Sequence, residues 1–297
     1  MFTRRSLLTT LAATAATPLL TQIALSSDAT VKWSGTRSGE NGFFRAPTLL
    51  TGDAEAILID GGFNFPDGDA LVKAIQATGK RLTTIYISQS DPDFYFGLTP
   101  VIAAFPEARV IAATATVEAI KASAQKKIDV WGPRLGEFGP QKLEQIVFPE
   151  AYDAPTLELE GTTIEIVTAS AVPNRRYLWV PSLNAVLGGV LVFDGLHVWT
   201  ADTATPELRA GWISELDTMI ARNPSLVIAG HAAEGMNNGL ASIEFTRDYL
   251  VAFEEEVAKS ADSAELIAAM QSRFPGLGLE VALQVGAKVA KGEMKWG

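Results

Sequence analysis

The alternating, β-branched run Leu82–Ile87 opens directly into Gln89-Ser90-Asp91-Pro92-Asp93-Phe94, and Thr99–Phe105 then reads as a helix stopped by Pro106. A strand that ends in a polar loop ahead of a helix is the repeating unit of an α/β sheet, whose sites gather at the carboxyl ends of strands. The segment therefore constrains both the fold class and the place to look for chemistry.

The remaining pattern extends the same architecture. Thr48–Leu50 and Ala56–Ile59 form a hairpin around Gly52-Asp53, and the second strand ends in the tight turn Asp60-Gly61-Gly62. Ala70, Leu71, Ala74 and Ile75 fall on one face of a helix over Asp67–Thr78, ended by Gly79. Arg109–Ala112 is a strand and Thr116–Lys126 a helix. From Ile128 to Glu150, Trp131-Gly132-Pro133 and Phe138-Gly139-Pro140 predict an irregular excursion over the site mouth, with aromatic residues that line a pocket or pack on the surface. The second half restarts with strands at Thr156–Leu159, Thr163–Val167, Tyr177–Val180 and Ala185–Val192. Pro206–Arg222 is an amphipathic helix, and Leu226–Ala229 is a strand that delivers Gly230-His231. Helical periods at Ile243–Lys259, Ala264–Phe274 and Leu279–Lys291 close the chain.

The loop Ile87–Leu98 resembles that of the metallo-β-lactamase superfamily, whose pattern runs Thr-His-x-His-x-Asp-His-x-x-Gly-Leu after an apolar strand. In register on Asp93 and Gly97-Leu98, the three histidine positions fall on Gln89, Asp91 and Phe94. Asp60-Gly61-Gly62 and Gly230-His231 match two further landmarks in the right order, so the resemblance spans Thr48 to His231. It implies an α/β fold, an αββα sandwich of the metallo-β-lactamase type, here with an appended C-terminal helical segment. The expected organisation is a signal over 1–24, the sandwich over 25–238 and the helical extension over 239–297.

The resemblance also implies a dinuclear zinc hydrolase, and the residues depart from that. The superfamily's middle histidine would fall in Thr168-Ala169-Ser170-Ala171-Val172, and its bridging aspartate on Val190. Independently of any family, the sequence contains two histidines, His197 and His231, and no cysteine, so a trihistidine or thiolate zinc site cannot be assembled. Dinuclear zinc is not expected; the cofactor is none or a single divalent metal. Asp91, Asp93 and His231 could hold one hard or borderline cation with waters, whereas Asp91-Pro92-Asp93 is also an ordinary turn sequence. Gln89, Phe94, Asp60 and Trp199 are the expected pocket residues. Asp93, His231 and His197 are the candidate catalytic groups, His197 because a nearby carboxylate such as Asp202 could make it a general base. No Gly-x-Ser-x-Gly turn or phosphate loop is present.

A formal charge of −10 argues against nucleic acid as a partner. Arg4-Arg5 ahead of an uncharged Ala/Thr/Leu stretch reads as a twin-arginine-type export signal, placing the mature protein in the periplasm or secreted, without stable membrane insertion once the signal is removed. The functions in view are an exported metallo-β-lactamase-fold, hydrolase-like protein that binds a small molecule or acts without a dinuclear centre; a mononuclear metal-dependent hydrolase of an ester, lactone or lactam; and a structural or partner-binding protein, with a homodimer through the C-terminal helices as one form.

Overall fold

The computed structural model describes residues 31–235 and 238–296; the segment 1–24, read as an export signal, lies outside them. In chain order the elements are β1 (Lys32–Gly35), β2 (Thr48–Thr51), β3 (Glu55–Ile59), α1 (Phe65–Thr78), β4 (Arg81–Tyr86), α2 (Leu98–Ala104), β5 (Arg109–Ala112), α3 (Thr114–Leu135), β6 (Glu150–Ala151), β7 (Thr156–Leu159), β8 (Thr162–Thr168), β9 (Arg176–Val180), β10 (Ala185–Leu187), β11 (Phe193–Asp194), α4 (Pro206–Ala221), β12 (Leu226–Ile228), β13 (His231–Ala232), α5 (Leu240–Lys259), α6 (Ser263–Arg273) and α7 (Glu280–Ala290). They form a six-stranded sheet in the order β1-β2-β3-β4-β5-β6 and a five-stranded sheet in the order β12-β10-β9-β8-β7, with β11 and β13 paired separately.

Side-chain alternation explains the layering. In β3, Ile57 and Ile59 join a cluster that includes Leu178, Val180, Ala185 and Leu187 of the other sheet. Ala56 and Leu58 belong instead to the cluster holding Leu71, Ile75, Val101 and Ile120 of α1, α2 and α3. Both faces of the central strands are thus buried, which is why they read as nearly continuous apolar runs. Helices cover the outer faces of two packed sheets, the αββα sandwich expected from the sequence. Among the described residues no helix is long and apolar enough to cross a membrane.

Two expectations need correction. The excursion predicted from Ile128 begins only at Gly136, because α3 continues through Trp131-Gly132-Pro133. Proline removes one backbone donor and crowds the carbonyl four residues back, but Pro133 lies in the last turn, two residues before the helix ends at a left-handed Gly136 (φ 54°). The half-buried Trp131 repays the disturbance by packing edge-on against Phe43 and Phe63, at 5.3 and 5.5 Å between ring centroids. The strand predicted over Ala185–Val192 stops at Leu187, because Gly188 and Gly189 adopt φ of 72° and 74° and break the ladder.

The three C-terminal helices pack into the body of the protein. Tyr249, Leu250 and Phe253 of α5 and Leu283 of α7 lie in the same apolar cluster as Trp212 and Leu216 of α4. The buried Arg209 of α4 pairs with Glu254 of α5. Thr246 of α5 accepts from the backbone N–H of Phe193 at 3.0 Å and donates to its carbonyl at 2.9 Å, which ties α5 to the strand beside His231.

Candidate functional site

The carboxyl ends of β3 and β4 are locked together by backbone contacts. Gly61 N donates to Phe94 O at 2.7 Å, and Gly97 N to Gly62 O at 3.1 Å. A Cβ on Gly97 would stand 2.3 Å from Gly61 O, so only glycine permits this approach. Asp60, itself left-handed at φ 66°, is almost wholly buried. Its carboxylate accepts from Ser88 N at 2.8 Å and from Ser88 Oγ at 2.8 and 2.9 Å. Ser88 Oγ in turn accepts from Gly189 N at 2.9 Å, so one aspartate–serine pair joins the two halves of the molecule.

The centre of the site is a residue that the sequence reading did not single out. Arg45 is 0 % exposed. Its guanidinium donates from Nη1 to Gly230 O at 2.7 Å and from Nη2 to Asp60 Oδ2 at 3.0 Å. Its Nε stands 3.6 Å from Asp93 Oδ2, and its guanidinium carbon sits over the Phe94 ring, 3.5 Å from the centroid. Phe43 and Phe44 precede it at φ 55° each, a costly conformation for bulky residues. That turn sends Arg45 inward while presenting Phe43 O to His231. The available signal in sequence was a lone cation within Phe43-Phe44-Arg45-Ala46-Pro47.

His231 and Asp93 are brought together. His231 Nδ1 lies 2.7 Å from Phe43 O, so Nδ1 must carry the hydrogen, and Nε2 faces Asp93 Oδ2 at 3.5 Å. The imidazole stacks on Phe193 at 4.8 Å with 5° between planes. Burial, reinforced by the Arg45 charge, holds the His231 pKa down to about 3. Burial pushes Asp93 up to about 7, with Asp91 adding to the rise and Arg45 opposing it.

Asp91 is turned aside. Its Oδ1 meets Lys127 Nζ at 2.8 Å, and that ammonium also donates to Ser90 O at 2.8 Å. Burial works to raise the Asp91 pKa, but Lys127 and Arg175 prevail and hold it below the usual range. Gln89 is buried, its Oε1 accepting from Ser90 N at 2.9 Å while Nε2 has no partner. Phe94 is fully buried beneath Arg45 and supports the site without opening onto it. His197 belongs elsewhere: its Nδ1 is 3.0 Å from the Tyr249 hydroxyl, and burial lowers its pKa. Asp202 engages Arg175 and Trp296, so the His197–Asp202 base considered from sequence is not formed. Trp199 meets Trp296 edge-on at 5.2 Å.

These donors do not suit the superfamily's metal centre. The Asp93 oxygen nearest His231 also faces a guanidinium, which repels a cation and cannot ligate one, and Asp91 is neutralised by Lys127. Among the described residues no three His, Asp or Glu side chains converge as metal ligands.

The sequence matches no protein-family model and no curated protein. Among solved structures, a metallo-β-lactamase from Pontibacter korlensis superposes with a TM-score of 0.53 at 16 % identity, covering 75 % of this chain and 95 % of that one. A crystal structure of VMB-1 gives 0.49 at 16 % identity over 76 % and 94 %, and DIM-1 metallo-β-lactamase 0.48 at 15 % over 75 % and 93 %. With the sheet order, the Asp60 turn, the Asp93 loop and the Gly230-His231 end in place, the protein has the fold of the metallo-β-lactamase superfamily.

Proposed function

We propose that this protein is an exported, hydrolase-like member of that fold which works without dinuclear zinc and receives a small molecule at the mouth formed by Asp91, Lys127, Arg175, Asp202 and Trp199. The observation that carries the reading is the Arg45 guanidinium, stacked on Phe94 and bonded to Asp60 and Gly230 between Asp93 and the sheet ends. A fixed organic cation there supplies positive charge to Asp60 and Asp93, but it offers no open coordination position to activate water. The chemistry left to the chain is hydrogen bonding and proton transfer. With its pKa near 7, Asp93 can hold or release a proton beside the unprotonated Nε2 of His231. Export rests on Arg4-Arg5 and the uncharged stretch behind them, and N-terminal sequencing of the mature protein from a periplasmic fraction tests it.

The reading is tested by thermal unfolding and an ester, lactone and lactam hydrolysis panel, each with and without a strong chelator. The expected result is an unchanged unfolding midpoint and no chelator-sensitive turnover. A midpoint that falls with chelator, or turnover that chelator abolishes and zinc restores, overturns it.

A further inference from the structure

After α7 the chain returns toward the site. The Glu293 carboxylate accepts from Ser263 N at 2.8 Å and from Ser263 Oγ at 2.5 Å, fixing the start of the tail against α6. Beyond it, the indole Nε1–H of Trp296 donates to Asp202 Oδ1 at 2.8 Å, and its ring stands edge-on to Trp199. The other oxygen of Asp202 faces Arg175 Nη2 at 3.3 Å. The charges of Asp91 and Lys127 both reach Asp202.

We propose that Trp199 and Asp202 form a binding subsite for a flat aromatic ring bearing an N–H donor, with Trp296 as its displaceable internal occupant. The proposal rests on the reading of this mouth as a small-molecule site and names what it recognises. Charge decides the ligand class. Asp91 is matched by Lys127 and Asp202 by Arg175, so neither of these two cations is left to select an anionic ligand. What remains is one oriented acceptor, Asp202 Oδ1, and one aromatic wall, Trp199. Trp296 shows the fit, because its own ring and N–H use both. It is also weakly retained: 41 % exposed and, among the described residues, held by one hydrogen bond and one ring contact. A tethered occupant competes with free ligand at the effective concentration its tether sets, in the millimolar range.

The test uses the full chain, wild type and Trp296→Ala, titrated with indole and with 1-methylindole, which lacks the N–H, while the backbone amide of Asp202, present in every variant, is followed by NMR. Indole should bind Trp296→Ala roughly tenfold more tightly than wild type, 1-methylindole should bind that variant far more weakly than indole does, and Trp199→Ala added to Trp296→Ala should abolish the gain. Trp296→Phe, which keeps the ring and loses the donor, should also bind indole more tightly than wild type and guards against misfolding of the alanine variant. Equal indole affinity in wild type and both variants, or equal affinity of the variant for the two probes, overturns the proposal. Zinc content measured on the same preparation reports separately on the arginine-filled centre, so the two readings fail independently.

Discussion

The guanidinium of Arg45 sits over Phe94, 3.5 Å from carbon to ring centroid, with both residues fully buried. A cation over an aromatic face is stabilised by the ring quadrupole, more so when desolvated. In the register of the loop resemblance, Phe94 falls on the third histidine position of the superfamily pattern. A side chain that cannot ligate thus supports a cation that needs no ligands.

Removing that cation leaves Asp60 buried without its ionic partner. Arg45→Leu is expected to destabilise the protein by about 3–5 kcal/mol, the cost of stranding one member of a buried pair. Arg45→Lys should recover part of this, since lysine keeps the charge and loses the planar fork that reaches Gly230 and Asp60 together. Urea unfolding at neutral pH checks both, and a loss under about 1 kcal/mol for Arg45→Leu contradicts the role assigned to it.

Ser88 donates to Asp60 and accepts from Gly189 with one hydroxyl. Ser88→Ala leaves a buried carboxylate oxygen and a buried N–H without that partner, and should cost about 1–3 kcal/mol. The midpoint of urea unfolding reads this out; a change within error would mean that the two halves are joined by packing alone.

Gly97→Ala places a methyl group against Gly61 O, and the neighbouring backbone cannot yield without breaking the Gly61 N to Phe94 O bond. A destabilisation of about 1–3 kcal/mol is expected, accompanied by shifts in the backbone amide resonances of Gly61 and Phe94. Wild-type stability with those amides unmoved would contradict the interlock.

Asp93 and His231, two of the buried titrating groups, act in opposite directions. Asp93 is raised from 3.8 to about 7, so within that window the folded chain holds a proton the unfolded chain has released, and its contribution to stability falls as pH rises and is spent above about 7. His231 is lowered from 6.5 to about 3, so within that window the unfolded chain takes up a proton the folded chain refuses, and its contribution falls as pH drops. Between about pH 4 and 6.5 the two offset one another. Asp93→Asn should therefore gain stability relative to wild type above neutral pH and gain little near pH 5. Imidazole nitrogen NMR on a chain with only two histidines should show His231 as the neutral Nδ1–H tautomer below pH 5; a protonated His231 at pH 6 contradicts the assignment.

Much of the fold was legible because central strands such as β3 and β10 are buried on both faces and stand out as apolar runs. The Asp60 turn, the Asp93 loop and Gly230-His231 carried the topology in order. Local rules misplaced the two ends where tertiary contacts or glycine conformations decide: the proline-containing end of α3, held by the Trp131 packing, and the early end of β10 at Gly188-Gly189. The site was half legible. Asp93 and His231, both singled out from sequence, stand 3.5 Å apart, whereas Asp91 is captured by Lys127, 36 residues further along the chain. Arg45 was invisible because its importance lies in partners at positions 60, 93, 94 and 230, and no local motif marks such a convergence. His197 and Asp202 are close in sequence, yet each takes its partner from a distant segment.

We propose that the Arg45 guanidinium, rather than a metal ion, supplies the positive charge beside Asp60 and Asp93. The most direct measurement is the zinc content of the purified protein after equilibration with excess zinc and removal of free ion. The account predicts far less than one zinc per chain in wild type; one or two tightly held ions bound at Asp93 and His231, with Arg45 displaced from Phe94, would contradict it.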